Sequence, residues 1–337
     1  MTNKHRTATV PLPYRQQYLE FVRGEVVQDI NQARLRYFYE VVRCGSVRAA
    51  ADKLDTAASV ISRQIRLLEQ ELDVTLFERR GRGLAPTEAA SMVLDYHQGC
   101  QAQHEHLAAR LEALRGMRSG HVKIVISEGF IDTLMEQVIG PFCRRHPLIQ
   151  LDVETASVNE VVELVASDAA HLGLAFNPPV DPRVRCRLAA VHPVQLLAAP
   201  NHALARQGGP ITLQAMLAYP YALMSAPYGL RRIIDVVELT ERIHLTPSLT
   251  TNSLRVLKQY VESGAGVTLM PALGAHRELA EGSLVGRAVE HPALTGTQCQ
   301  MLVRTGRPLS DAALEILRQI ANHLPVFRGE AAPGVPA

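Results

Sequence analysis

The sequence predicts an α/β protein that carries an all-α unit at its N-terminal end. Three observations predict it. Residues 35–88 hold three short helical patterns followed by an arginine-rich hairpin. Residues 87–115 read as one long helix without proline. From His121 onward, apolar runs of strand length alternate with amphipathic helical stretches, which is how sheets covered by helices look in sequence.

The first helix is expected from about Gln32 to Cys44, because Leu35, Phe38, Val41 and Val42 fall at i, i+3, i+6 and i+7 on one face. Gly45 ends it. Ser46 then caps the second helix by accepting a backbone N–H. That helix is short and turns Val47, Ala50, Ala51 and Leu54 inward; the small Ala50–Ala51 pair lets another helix approach closely. In the third helix Ile61, Ile65, Leu68 and Leu72 form the core stripe, while Ser59, Ser62, Arg63 and Arg66 share another face. Such a face on an isolated helix is usually only solvated. Here the two preceding helices and the following hairpin favour a base-reading role, since arginine donates two hydrogen bonds to a guanine edge and serine contacts bases or phosphates. The hairpin runs from Phe77 to Pro86 and clusters Arg79, Arg80 and Arg82 beside Gly81 and Gly83. A basic loop of this kind lies along the sugar-phosphate backbone or enters the minor groove. Gly81-x-Gly83 is not a nucleotide loop, because Pro86 stands where the third glycine belongs.

The stretch containing Ala50-Ala51, Leu54, Ser62-Arg63-Gln64-Ile65, Leu68-Glu69, Leu76-Phe77, Arg79, Arg82 and Pro86-Thr87-Glu88-Ala89 resembles the winged helix-turn-helix of LysR-type transcriptional regulators. The resemblance implies that Ala58, Ser59, Ser62 and Arg63 contact bases, that Arg79 and Arg82 sit on the wing, and that Thr87 is both a phosphate contact and a cap. The third helix departs from the family at its start, which reads Ala57-Ala58-Ser59 where Ser or Thr followed by Gln-Pro is usual. Thr56 or Asp55 is then the substitute cap. The unit is expected to span 32–90, preceded by a mobile extension over 1–31.

The long helix, expected over 87–116, would be a rod of roughly 40 Å. Val93, His97, Cys100, His104, Leu107, Leu111 and Leu114 recur at coiled-coil spacing, so two copies can pack antiparallel. The resemblance implies this dimer and usually a dimer of dimers. His97, His104 and His106 read as structural or exposed histidines rather than a metal site. Gly116-Met117-Arg118-Ser119-Gly120 then breaks the helix as a hinge.

Beyond the hinge, strands are expected at 121–127, 149–154, 171–176, 194–198, 221–224, 248–251 and 267–270, in sheets expected to be parallel. Helices are expected at 131–145, 158–166, 213–217, 230–239 and 253–263. The final strand 300–304 and helix 311–322 should return to the first sheet. Such a chain builds two α/β lobes, one from about 121–190 and 299–325, the other from about 191–298, leaving a tail over 326–337. The region resembles the LysR-type effector domain, itself similar to periplasmic solute-binding proteins, with Gly264-x-Gly266-Val267-x-x-x-Pro271 the best local match. The cleft between lobes should collect strand ends and helix N-termini, which suit small ligands and especially anions. Candidate ligand contacts are Ser127, Glu128, Gly129, Ser157 and Asn159 from one lobe, and Ser225, Thr251, Asn252 and Ser253 from the other. Each serine or asparagine also fits a plain helix-capping role. Glu128 can meet an amine or hydroxyl of the ligand, or interact favourably with a helix dipole.

Composition bounds the rest. At 337 residues, 47% of them apolar, the chain can bury two or three domain cores. A net charge of +2 argues against a protein that coats DNA nonspecifically, while a local arginine cluster suffices for phosphate contact. The five cysteines show no CxxC pair or zinc spacing, so reduced, mostly packed thiols are expected. No apolar run is long enough to span a bilayer, and the start lacks an apolar signal core, so a cytoplasmic location without membrane attachment is expected. No GxSxG, HExxH, P-loop or dinucleotide fingerprint appears, which speaks against an enzyme. The expectation is a promoter-binding regulator without a cofactor, controlled by a small-molecule effector and working with double-stranded DNA, with itself and with RNA polymerase. A redox-responsive regulator of the same fold, a two-lobed enzyme and a solute-binding module are the alternatives.

Overall fold

The computed structural model describes residues 30–80, 83–114, 120–226 and 228–329. The expected extension over 1–29, the centre of the hinge and the last eight residues lie outside them. Contacts divide the chain into two units, one ending at Cys100 and the other starting at Gln101.

In the first unit, α1 (Gln32–Cys44), α2 (Val47–Lys53) and α3 (Ala58–Leu72) pack around Leu35, Phe38, Val41, Ala50, Ala51, Ile61, Ile65 and Leu68, all buried. Asn31, inside the stretch expected to be extension, caps α1 by accepting from the N–H groups of Ala33 and Arg34. Gly45 adopts the left-handed backbone that ends α1, and Ser46 caps α2 through the Ala49 N–H at 3.1 Å. The expected cap of α3 is absent. Ala57 holds the N-cap position without a side-chain bond, because Asp55 is used as a left-handed pivot of the turn (φ 48°). The hairpin pairs β1 (Phe77–Arg80) with β2 (Gly83–Pro86) in antiparallel register. Glu69 anchors it, its carboxylate accepting from the Leu76 N–H at 2.8 Å. Helix α4 (Glu88–Leu114) follows.

The second unit contains two five-stranded sheets. The first has the order β4 (Ile149–Thr155), β3 (Gly120–Ile126), β5 (Leu172–Phe176), β12 (Gln298–Arg304), β6 (Val184–Val191). The second has the order β11 (Val285–Ala288), β7 (Val194–Ala198), β10 (Val267–Pro271), β8 (Tyr221–Met224), β9 (Leu249–Thr251). Both are mixed, not parallel as expected. β12 pairs antiparallel with β5 and β6, and β7 pairs antiparallel with β10 and β11. The cause is topological: β7 and β12 are the strands by which the chain enters and leaves the second lobe, so they run against the βα repeats. β12 and α14 (Asp311–His323) do return to the first sheet.

Two strands escape the sequence pattern. β6 is an edge strand with Arg185, Cys186 and Arg187 exposed, so it lacks an apolar run. β11 is four residues with a glycine in it. The helix expected over 131–145 is also divided. α5 (Ile131–Leu134) passes through a wider π turn at Met135–Ile139 into α6 (Gly140–Arg145). Pro141 explains the break, since its ring removes a backbone donor and crowds the preceding turn. The remaining helices are α7 (Val158–Ala166), α8 (Ala203–Arg206), α9 (Leu213–Leu217), α10 (Gly229–Glu241), α11 (Leu254–Glu262), α12 (His276–Glu281) and α13 (Pro292–Thr295). A last turn at Pro325–Phe327 buries Val326, so packing reaches past the expected start of the tail.

The two crossings between lobes are tied together. The His192 N–H donates to the Thr297 carbonyl at 2.8 Å, and the Thr297 hydroxyl donates back to the His192 carbonyl at 2.7 Å. The His192 ring accepts from the Leu273 N–H at 2.9 Å, and burial pushes its pKa down to about 4.

Candidate DNA-reading face and ligand cleft

Helix α3 turns Ile61, Ile65 and Leu68 into the core, which leaves the opposite face outward. Ser59, Arg63 and Arg66 are exposed, and Ala58 and Ser62 are half-buried. Among the described residues neither Arg63 nor Arg66 has an ion-pair partner, whereas Arg34 is held by Glu71 at 2.9 Å and Lys53 by Glu40 at 2.7 Å. Arg63 and Arg66 are thus exposed on the face of α3 that lies opposite its buried stripe. Arg79 and Arg80 lie on β1, their side chains outside the described atoms; Arg82 is outside entirely. Thr87 works as a cap. Its Oγ1 accepts from the Ala90 N–H at 3.2 Å and donates to the Thr75 carbonyl at 2.8 Å.

On α4 the expected seam splits. Val93 packs into the helical core, and His97 is buried with its ring 5.0 Å from that of Tyr39, burial lowering its pKa. Leu107 and Leu111 are 55% and 49% exposed and His104 is exposed; His106 and Leu114 carry no described side chain.

The cleft of the second unit forms where β3, β5, β8 and β10 end. A cavity of about 60 Å³ lies there. Of the expected ligand contacts, Ser127, Glu128 and Gly129 line it. The other six do not. Ser157 is used as a cap in a reciprocal box with Glu160, and Asn159 accepts from Arg232 Nη1 across the lobes at 3.4 Å. The Ser225 N–H donates to the Thr251 carbonyl, and Thr251 Oγ1 accepts from the Ser253 N–H at 3.2 Å. Asn252 is exposed, and Ser253 Oγ donates to Glu128 Oε1 at 3.3 Å. The other residues lining the cavity are mostly apolar, among them Phe130, Val158, Phe176, Met224, Leu254 and Leu273, and the sequence pointed to none of them. Nothing in sequence separates them from core residues, because both groups follow strands and avoid water. The wall of this cavity is therefore mainly apolar, where the sequence pointed to polar groups.

All five cysteines are free. Burial pushes the Cys299 thiol well above its ordinary range and raises Cys186 as well, and Cys186 Sγ donates to the Leu188 carbonyl. Both shifts run opposite to what a peroxide-sensing thiolate needs.

Residues 33–91 match the family described as bacterial regulatory helix-turn-helix protein, lysR family, and residues 115–325 match the LysR substrate binding domain. The chain belongs to the LysR family. This LysR protein is accordingly a DNA-binding transcriptional regulator with an effector-binding domain. It is 27% identical to the RuBisCO operon transcriptional regulator of Allochromatium vinosum over 84% of this chain and 93% of that one. It is 26% identical to the HTH-type transcriptional regulator BbuR of Bordetella bronchiseptica over 86% of this chain and 90% of that one. Its fold is similar to that of full-length OxyR from Pseudomonas aeruginosa, at a TM-score of 0.63 and 17% identity, covering 92% of this chain and 99% of that one. No helix among the described residues is long and apolar enough to cross a membrane.

Proposed function

We propose that this LysR regulator reads promoter DNA with the outward face of α3 and tunes that binding through a small molecule held in the cleft of its second unit. Ala58, Ser59, Ser62, Arg63 and Arg66 form the base-reading face, Arg79, Arg80 and Arg82 the wing, and Thr87 fixes the wing against α4. The observation that carries the reading is the sidedness of α3: one face buried in the helical core, the other keeping two unpaired guanidinium groups exposed. Self-association through α4, as a dimer or a dimer of dimers, and contact with RNA polymerase complete the proposal. A ligand that binds one lobe arrangement better than another shifts the population of DNA-binding states by that difference. The test is a gel shift on the DNA upstream of the protein's own gene. Arg63→Ala should weaken specific binding roughly tenfold to a hundredfold, as loss of a bidentate base contact does. Affinity unchanged in Arg63→Ala and Arg66→Ala together would remove α3 from the interface.

A further inference from the structure

Glu128 follows β3 in the first lobe, yet its carboxylate rests on the second. Oε2 accepts from the Leu254 N–H at 3.0 Å, and Oε1 accepts from Ser253 Oγ at 3.3 Å. These donors open α11, and Ser253 makes no capping bond to its own helix. A helix start presents unsatisfied N–H groups and partial positive charge, which is what a bound anion uses. In this chain the seat is taken by an internal carboxylate. Beside it the cavity is walled by Phe130, Val158, Met224, Leu254 and Leu273. One polar atom there has no partner among the described residues: Ser127 Oγ, shielded from solvent.

Building on the reading of this cleft as the effector site, we propose that Glu128 is a built-in anion that sets the class of ligand. The cleft takes a small, uncharged, mainly apolar molecule with one hydroxyl or carbonyl group for Ser127 Oγ. An anionic ligand finds the helix start occupied and meets the Glu128 charge at close range, and such repulsion discriminates as effectively as attraction.

The test uses the full chain with propionate, which copies the glutamate side chain, and 1-propanol, its uncharged counterpart, at matched ionic strength. By calorimetry the wild type should prefer 1-propanol to propionate by tenfold or more. Glu128→Ala should gain at least tenfold in propionate affinity, and Glu128→Gln, which loses the charge but still fills the seat, should gain less than Glu128→Ala does. An equal or reversed preference in the wild type, or no gain in Glu128→Ala, overturns the proposal. Hydrogen exchange supplies a check that needs no ligand. The Leu254 amide should exchange about fivefold faster in Glu128→Gln, because a charged acceptor is replaced by a neutral one; an unchanged rate also overturns it. If Glu128→Ala gains propionate binding while its DNA affinity ignores propionate, the built-in anion stands and the cleft loses its effector role.

Discussion

His192 shows how one side chain ties stability to pH. Its folded pKa of about 4 lies below the ordinary 6.5, so the folded state binds the proton less well than the unfolded state does. Its contribution is fully present above pH 6.5 and drains away as pH falls toward 4. Between pH 7 and pH 5 this one group should remove about 2 kcal/mol from the unfolding free energy. In His192→Gln, whose amide oxygen can still accept from Leu273, urea titrations at the two pH values should differ by that much less. An identical pH slope in both proteins would mean that His192 titrates in the fold as it does in the unfolded chain, and would remove the depressed value. Thr87 carries a smaller load. Replacing it with valine removes the cap on Ala90 and the bond to Thr75, and should cost about 1 kcal/mol. The Thr87 cap was legible in sequence. The neutral buried state of His192 was not, since a histidine between two strands carries no mark of what will cover it.

Elements were legible where a single periodicity governed them. α1, α3, α7 and the buried strands β5, β7, β8 and β10 follow their apolar spacing closely, because one face or both are sealed from water. β6 and β11 were illegible for the converse reason: an edge strand needs only a neighbour's hydrogen bonds. The Gly264-x-Gly266 pair shows an element end set by a close approach. A Cβ on Gly266 would stand 2.2 Å from the Pro220 carbonyl oxygen, which accepts the Val267 N–H that starts β10. Gly266→Ala should therefore destabilise the second unit by about 3 kcal/mol, visible as an early unfolding transition in denaturant. Wild-type stability in that variant would mean that the β8–β10 junction yields.

At the scale of the whole molecule, the exposed half of α4 matters most. Leu107 and Leu111 stand one turn apart with about half of each side chain in water, an arrangement that a second copy can cover. Leu107→Asp with Leu111→Asp should turn the protein monomeric in light scattering. Operator affinity should fall more than a hundredfold, because paired reading heads bind with an avidity that single heads lack. A double variant that remains dimeric would place the self-contact elsewhere.

Sequence alone determined the helical reading unit, the outward Ser-Arg face of α3 and the alternation that builds two α/β lobes. Each rests on spacing within one segment, and spacing is a local property. Tertiary structure decided the mixed sheets, the apolar walls of the cleft and the seating of Glu128 on the start of α11. Those depend on residues far apart in the chain meeting at one point, and no period in the chain records where two distant strand ends will converge.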